Sequence, residues 1–245
     1  MNDESIDRTA ALRSRLYESY ATTHAGLSSV TTASLVYRRD IRPHLPSIPG
    51  ARILDVGCGQ GALVKLLVAD GYDASGVDVS AEQVALAHQA GIRTVVLGDF
   101  TDVLSAESET LHAVVATDLL EHLTKDEVLH LFDAIHHALK PGGCFVARTP
   151  NANSPFSGNI QYGDFTHETV FTPRSIAQIA SATGYSQVDV RPCTPVVHGV
   201  QSRVRALAWK AFSGAIKLAI AAETGQRHGL VVTQNMTFVV RRSSD

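Results

Sequence analysis

Apolar runs alternate with helical stretches through the middle of the chain, from residue 51 to residue 149. There are five apolar runs. The first begins at Ile53, and the second ends at Asp78. The other three span 94–97, 112–117 and 144–149. The helical stretches between them span 62–70, 81–90 and 124–139. Because such alternation is typical of βα units, it predicts an α/β fold with a mostly parallel sheet and helices on both faces.

The pattern differs on either side of this region. Helical spacing over residues 4–39, closed by prolines at 43, 46 and 49, predicts an N-terminal helical cap over residues 1–50. After residue 150 a long loop rich in turn-forming residues reaches Phe171. A helix from Thr172-Pro173 to Thr183 and strands over 186–191 and 231–240 follow. We therefore expect one domain over 51–245, with 150–225 as a substrate-side insertion.

A helix with a basic stripe is predicted between residues 203 and 223. Arg203, Lys210 and Lys217 recur every seven residues. Apolar residues at i, i+3, i+4 spacing form its other face, namely Val204, Leu207, Ala208, Ala211, Phe212, Ala215, Leu218 and Ala219. The many alanines favour packing of this face against a core. The alternatives are a lid over the substrate or weak peripheral contact with an anionic membrane through Trp209 and the lysines.

Composition narrows the class of protein. The 21 Lys and Arg against 24 Asp and Glu give a net charge of −3, which disfavours a nucleic-acid partner. Three separated cysteines are too few for a disulfide framework or a zinc site. The polar, acidic start of the chain is unlike a secretory signal. We expect a cytoplasmic protein that is at most peripheral to the inner face of a membrane.

The segment Ile53–Gly61 joins a strand to a glycine-rich turn that opens a helix, as in sites for nucleoside cofactors. Gly57, Gly59 and Gly61 form G-x-G-x-G. The dinucleotide fingerprint G-x-G-x-x-G tolerates alanine at its last position, which is Ala62 here, so an NAD(P)-dependent oxidoreductase stays possible. Asp55 lies inside the strand, where a buried carboxylate is costly without a cationic or hydrogen-bonding partner. A cofactor with an ammonium group would supply that partner.

The order Asp55-x-Gly57-x-Gly59-x-Gly61 resembles the first motif of class I S-adenosylmethionine (SAM) dependent methyltransferases, and the resemblance continues in order to Gly143. It implies a Rossmann-like, seven-stranded sheet and SAM as cofactor. It also implies that Asp78 accepts hydrogen bonds from the ribose hydroxyls, that Asp99 contacts the adenine amino group, and that Phe100 packs on the ring. The cofactor site it implies consists of Asp55, Gly57, Cys58, Gly59, Gly61, Asp78, Val79, Asp99, Phe100, Asp118, Leu119 and Tyr20.

Several of these residues have a simpler interpretation. Asp78 could cap the helix that starts near Ser80, and Asp99 could be an ordinary turn residue. Cys58 is small enough to serve only as a packing residue in a tight turn. Tyr20, with Tyr17, resembles an aromatic cover over the methionine end of the cofactor, but the spacing of the two also suits helix packing.

Two places could supply a base for methyl transfer to a hydroxyl. Asp118, Glu121 and His122 resemble the E-x-x-E-H arrangement of ubiquinone-pathway O-methyltransferases, for which magnesium binding is proposed. The shorter Asp118 and magnesium's preference for oxygen ligands favour a site without metal. The second place is the segment 162–168, which with Phe171-Thr172-Pro173 is similar to a segment of methyltransferases that act on polysaccharides and lipid-linked glycans. His167 there is a candidate base, since histidine titrates near neutrality.

The sequence therefore predicts a SAM-dependent methyltransferase that acts on a hydroxyl of a small molecule or glycan, with His167 and His122 as the catalytic candidates. A SAM-binding module without catalysis and an NAD(P)-dependent oxidoreductase are the alternatives. A nucleic acid methyltransferase is disfavoured by the charge and by the absence of an Asn-Pro-Pro-Tyr type motif after the fourth strand. The oligomeric state has no signature in the sequence.

Overall fold

A computed structural model describes residues 30–197 and 199–244. Most of the predicted N-terminal cap, including Tyr17 and Tyr20, lies outside these residues. The part of the cap that the structure describes begins with helix α1 (Val30–Val36), which continues into a π-helical turn (Tyr37–Ile41) and a 3-10 turn (Arg42–His44).

The described residues form one seven-stranded sheet in the order β3-β2-β1-β4-β5-β7-β6. Its strands are β1 (Arg52–Val56), β2 (Asp73–Asp78), β3 (Val95–Leu97), β4 (Leu111–Thr117), β5 (Leu139–Pro150), β6 (Gln187–Pro192) and β7 (Asn235–Arg241). The first five pair in parallel, and β7 runs antiparallel to β5 and β6, which confirms the mostly parallel, seven-stranded sheet. The strand order reverses between β1 and β4, and open α/β sheets bind ligands at such a switch point.

Helices connect the strands. They are α2 (Ala62–Ala69), α3 (Ala81–Gln89), α4 (Phe100–Ser105), α5 (Lys125–Ala138), α6 (Ser157–Gln161), α7 (Pro173–Ala182) and α8 (Val200–Thr224), with a 3-10 turn at Leu120–His122. Within the described residues, no helix combines the length and apolarity needed to cross a lipid bilayer.

The core lies on both faces of the sheet, as β4 shows. Val114 and Ala116 contribute to one buried cluster, which includes Phe132 of α5, while Ala113 and Val115 contribute to the other. Successive residues of a strand point to opposite faces. A strand covered on both faces therefore has no polar alternation, which is why the strands appear in the sequence as continuous apolar runs.

Two helices begin where the sequence predicts, because their caps are local. Thr124 accepts a hydrogen bond from the backbone N–H of Glu127, whose carboxylate accepts one from the N–H of Thr124 at 2.7 Å. Thr172 accepts from the N–H of Ser175 at 3.1 Å, and Pro173 occupies the first helical position of α7. Each cap satisfies donors that a helix start leaves unpaired.

The expectation that helix 203–223 covers a core with its apolar face is wrong. All eight residues of that face are exposed, and Leu207 and Leu218 are 67% and 73% accessible. The opposite side of α8 is the less exposed one, with Ser202 buried and Trp209 and Ile216 half-buried. Since α8 carries apolar residues on both sides, helical periodicity identifies the helix but does not indicate which side is covered.

Candidate active site

The glycine turn after β1 depends on backbone that other residues rarely adopt. Gly57, Gly59 and Gly61 all have positive φ, at +70°, +52° and +72°. At Gly57 a side chain would also collide, since a Cβ atom would lie 2.9 Å from Cδ1 of Leu119. The turn thus lies closely against Leu119, two residues after the end of β4, at the switch point of the sheet.

Asp78 fastens this turn to the end of β2. One carboxylate oxygen accepts a hydrogen bond from the N–H of Gly59 at 2.8 Å, and the other accepts from the N–H of Ser80, also at 2.8 Å. The cap of α3 is Ser80, which accepts from Gln83, so Asp78 is not the helix cap. Next to it, Val79 is 58% exposed. Binding of ribose by Asp78 stays a prediction.

Asp55 is the most unusual polar residue of the sheet. It lies in β1 and is 1% exposed, and its Oδ1 has no hydrogen-bond partner among the described residues. Burial, reinforced by the charge of Asp78, raises the pKa of the Asp55 carboxyl well above its usual range. A buried carboxylate is stable only beside a cation or hydrogen-bond donors, so this position suits the ammonium group of a ligand.

Cys58 fills space behind the turn. A Cβ atom at Gly76 would lie 2.6 Å from Sγ of Cys58, so the two residues pack closely. Burial raises the pKa of the Cys58 thiol far above its usual range, which keeps it protonated and unreactive. This geometry fits the interpretation as a packing residue.

The predicted adenine residues lie at the start of α4. Asp99 is the N-cap of this helix, and it accepts a hydrogen bond from the N–H of Thr101 at 2.7 Å. Its side chain is exposed, while Phe100 packs against the core cluster that contains α5. A structural role for Asp99 is therefore present, and contact with adenine stays a prediction.

These residues fit the cofactor that the sequence implies. The unpaired Oδ1 of Asp55 suits the ammonium group of SAM. At Gly59 a Cβ atom would meet nothing closer than 3.8 Å, so the missing side chain there lets a nucleoside approach the backbone. Both features lie at the carboxyl end of β1.

Asp118, which the sequence groups with Glu121 and His122, pairs with a residue of the neighbouring strand. It follows β4 with a φ of +55°, which is uncommon outside glycine but tolerated by Asp. Its exposed carboxylate forms a salt bridge with Arg148 of β5. Backbone strain of this kind persists where surrounding contacts impose it, often at functional sites.

The two places that could supply a base are parts of one site. The N–H groups of Glu168 and Thr169 donate to the carbonyl of Glu121 at 2.7 and 3.1 Å. The hydroxyl of Thr169 donates to the carbonyl of Leu123 at 2.6 Å. These bonds hold the loop after α6 against the 3-10 turn, and they bring the rings of His122 and His167 into edge-to-face contact with centroids 4.8 Å apart.

A hydrogen-bond chain orients His122. The hydroxyl of Thr166 donates its only proton to Asp164 at 2.7 Å, because a carboxylate can only accept. The hydroxyl oxygen therefore accepts from Nδ1 of His122, 2.8 Å away. This assigns the proton of the neutral ring to Nδ1 and its lone pair to Nε2. The neighbouring His167 is half-buried, and its Nδ1 has no hydrogen-bond partner among the described residues.

Glu121 lies beneath the two histidines and is 3% exposed. Its carboxyl accepts a hydrogen bond from the hydroxyl of Thr149 at 3.0 Å. Burial, together with the charge of Asp118, raises the pKa of Glu121 to about 8. The carboxyl is thus largely protonated at neutral pH. The atoms that Glu121, His122 and His167 could offer to a metal ion lie within 4.8 Å of one another.

The raised pKa makes stability depend on pH through Glu121. The unfolded chain loses this proton near the ordinary pKa of glutamate, but the folded chain retains it up to about pH 8. The contribution of this group to stability is therefore complete below the unfolded pKa and is lost as the pH rises through the folded value. Because Gln cannot ionise, we expect the stability of Glu121→Gln relative to the parent protein to be greater at pH 8 than at pH 5, by on the order of 3 kcal/mol. Urea unfolding at both pH values measures this difference. A difference that stays constant with pH would show that Glu121 ionises normally.

Sequence reasoning missed three residues of this site, namely Arg148, Thr149 and Thr166. Arg148 and Thr149 are the polar residues at the end of the run 144–149. Polar residues at the carboxyl end of a parallel strand lie at the ligand-binding edge of the sheet, and that rule could have identified them. Thr166 has no comparable signal, since it acts through contacts made in the folded state.

The sheet with an antiparallel β7, the glycine turn at its switch point and the buried acid before that turn define a Rossmann-like domain that binds a nucleoside cofactor. The chain belongs to the methyltransferase domain family, whose model matches residues 33–190. It thus contains a SAM-dependent methyltransferase domain, and SAM is the cofactor that this family implies.

Curated relatives are similar over part of their length. A ubiquinone biosynthesis O-methyltransferase of Xylella fastidiosa (strain M23) is 32% identical over 110 residues, which are 43% of this chain and 44% of the relative. The mitochondrial ubiquinone biosynthesis O-methyltransferase of Rattus norvegicus is 28% identical over 164 residues, 58% of this chain and 47% of the relative. The chain thus matches about half the length of these relatives.

Solved structures share the fold over nearly the whole chain. A SAM-dependent methyltransferase from Archaeoglobus fulgidus superposes with a TM-score of 0.69 at 19% identity, covering 91% of this chain and 99% of its own. Phosphoethanolamine N-methyltransferase 2 of Haemonchus contortus, in complex with SAM, gives a TM-score of 0.60 at 16% identity. The superposition covers 93% of this chain and 60% of that structure. Identities this low support the fold alone.

Proposed function

We propose that this methyltransferase transfers the methyl group of SAM to a hydroxyl of a small molecule or glycan, with His167 as the base. The observation that carries the proposal is the half-buried His167 ring, which rests on His122 beside the carboxyl ends of β4 and β5. SAM supplies a methyl group activated by its positively charged sulfur.

A hydroxyl acceptor explains why the site holds two histidines. Methyl transfer is mainly a matter of positioning, and acceptors such as carboxylates need no base. A hydroxyl must lose its proton as its oxygen bonds to the methyl group, and a histidine within hydrogen-bond reach can take that proton. In this proposal His167 receives the proton on a ring nitrogen. His122, oriented by Thr166, packs against the His167 ring and fixes its position.

The surface around the base suits an acceptor with a ring or an apolar face. Tyr162 and Phe165 are 81% and 92% exposed, and both belong to the loop that carries His167. Exposed aromatic side chains in a polar loop commonly mark a binding surface. The curated relatives are named as O-methyltransferases, which is consistent with a hydroxyl acceptor. Nucleic acid is not part of the proposal, given the net charge of −3.

We infer that the reaction needs no metal. Burial raises the pKa of Glu121 to about 8, so a cation that bound there at neutral pH would first have to displace a proton. Nδ1 of His122 is hydrogen-bonded to Thr166, and the carboxylate of Asp118 is paired with Arg148. Asp118 is therefore engaged elsewhere, and the histidines offer nitrogen ligands, which magnesium does not favour.

A labelling experiment tests the proposed function. With SAM that carries an isotopic label on its methyl group, we expect the label in methyl ethers formed from catechol or methyl glycosides. Addition of EDTA should leave the rate unchanged. The matched acceptors are phenylenediamine and the corresponding amino sugars, in which an amine replaces the hydroxyl. Transfer to the amines but not to the hydroxyl compounds would contradict the proposal, as would SAM binding without transfer to any acceptor.

A further inference from the structure

Helix α8 presents a second, outward apolar face that the domain leaves bare. Its inner side consists of buried Ser202 and half-buried residues at alternating spacings of three and four, namely Ala206, Trp209, Ser213, Ile216 and Ile220. Val200, Val204, Leu207 and Leu218 lie on the other side and are 62% to 80% exposed. Large apolar side chains at this exposure, aligned along one helix face, mark an interaction surface.

The charges of α8 are almost all positive. Within Val200–Thr224 four residues are cationic, Arg203, Arg205, Lys210 and Lys217, whereas Glu223 in the last turn is the one acidic residue. Arg203, Lys210 and Lys217 share one edge of the outer face, and Arg205 lies beyond its other edge. None of the four forms a salt bridge with a residue that the structure describes.

We propose that the outer face of α8 binds the surface of an anionic lipid bilayer, with the helix lying in the plane of the headgroups. An apolar face bordered by Lys and Arg is the pattern of interfacial helices, whose apolar residues enter the acyl boundary while the cations contact anionic headgroups. This binding is independent of the proposed methyl acceptor, because it uses no residue of the glycine turn or of the histidine site.

A second copy of the chain fits this face less well. A symmetric pair of molecules packs the same patch against itself. Antiparallel contact through the outer faces of two α8 helices would place the basic edge of one copy beside the basic edge of the other. The like charges would repel, whereas an anionic membrane neutralises them.

The membrane-binding helix is joined to the acceptor side of the domain. The ring of Phe212 stacks on Phe156, with centroids 5.9 Å apart and an interplanar angle of 19°. Phe156 directly precedes α6, and the same loop continues through exposed Phe165 to His167. A bilayer beneath α8 would therefore lie next to the loop that carries the proposed base, which suits a lipid-linked acceptor.

Vesicle sedimentation tests this proposal. We expect the protein to pellet with vesicles of phosphatidylcholine and phosphatidylglycerol, but not with vesicles of phosphatidylcholine alone. Each Lys or Arg near an anionic surface strengthens partitioning about fivefold. The double variant Lys210→Glu/Lys217→Glu should therefore lower the partition constant about 25-fold or more. Leu207→Ser/Leu218→Ser should abolish pelleting, because it removes apolar side chains that would enter the acyl boundary of the bilayer.

Matched variants elsewhere on the surface control for net charge and apolarity. Lys65→Glu/Arg93→Glu makes the same change of net charge at exposed sites away from α8, and Val68→Ser/Val188→Ser makes the same change of apolarity. Both controls should pellet as the parent protein does.

Three results would overturn the proposal. They are equal pelleting with both kinds of vesicle, binding that survives the Lys210→Glu/Lys217→Glu change, and a dimer in analytical ultracentrifugation that Leu207→Ser/Leu218→Ser dissociates. Calorimetric binding of SAM by each variant verifies that it is folded. The labelling assay described above is run separately, so failure of membrane binding and failure of methyl transfer are distinguished.

Discussion

Replacing His167 with alanine is expected to lower the turnover number about 100- to 10,000-fold, the range that a positioned general base contributes. The dissociation constant of SAM should remain nearly unchanged, because the glycine turn and Asp55 belong to a different part of the sheet edge. The His167 ring contacts His122, and its Nδ1 is buried without a partner among the described residues, as expected of a group that acts on an acceptor. Single-turnover kinetics and SAM calorimetry measure the two quantities separately.

His130→Ala is the matched control, since this histidine is exposed on α5. It should leave both quantities unchanged. If His167→Ala weakened SAM binding as much as turnover, the residue would have a structural role, and the proposed base would have to be sought elsewhere.

Local signals account for what the sequence predicts correctly. The glycine turn, the buried strands and the caps at Thr124 and Thr172 depend on residues only a few positions apart. Their hydrogen bonds form within one segment, so the pattern of side chains is sufficient to locate them. The six-residue helix α4 was missed because so short an element shows no periodicity, and its cap Asp99 also suits an ordinary turn.

The arrangement of the histidine site could not be predicted in this way. His122 and Thr166 are 44 residues apart in the chain, and each belongs to a motif that the sequence analysis treats as a separate place. They meet because backbone N–H groups of the loop bond to the carbonyl of Glu121. Backbone hydrogen bonds between distant segments have no side-chain signature, so only the folded chain shows that the two motifs form one site.

Helix α8 illustrates a different limit. Its apolar periodicity is the same whether a core, a lipid surface or solvent lies against it. The inward residues Trp209 and Ile216 and the outward residues Leu207 and Leu218 are all apolar. Only the tertiary structure decides which set is covered, and here the set chosen from the sequence is the exposed one.

The second large effect is expected at Asp55, where Asp55→Asn should weaken SAM binding about 30-fold or more. That is the loss typical of removing one member of a buried, hydrogen-bonded charge pair. Asn retains the size of the side chain but not the negative charge that would meet the ammonium group. Calorimetry measures the change in affinity. Asp126→Asn, at an exposed position on α5, makes the same chemical change outside the site and should have no effect.

The same substitution should stabilise the protein without SAM, because Asn removes a carboxyl whose raised pKa opposes folding as the pH rises.

The raised pKa of Asp55 also makes the binding of SAM depend on pH. Without SAM the carboxyl retains its proton, and an ammonium ligand favours the ionised form, so binding must release that proton. Affinity should therefore rise with pH above the range in which a free aspartate ionises, while the ligand's amino group stays charged, and the Asn variant should lack this slope. Weaker SAM binding together with a higher midpoint of urea unfolding would assign Asp55 to the cofactor. A variant that loses affinity and stability together would instead make Asp55 a structural residue of β1.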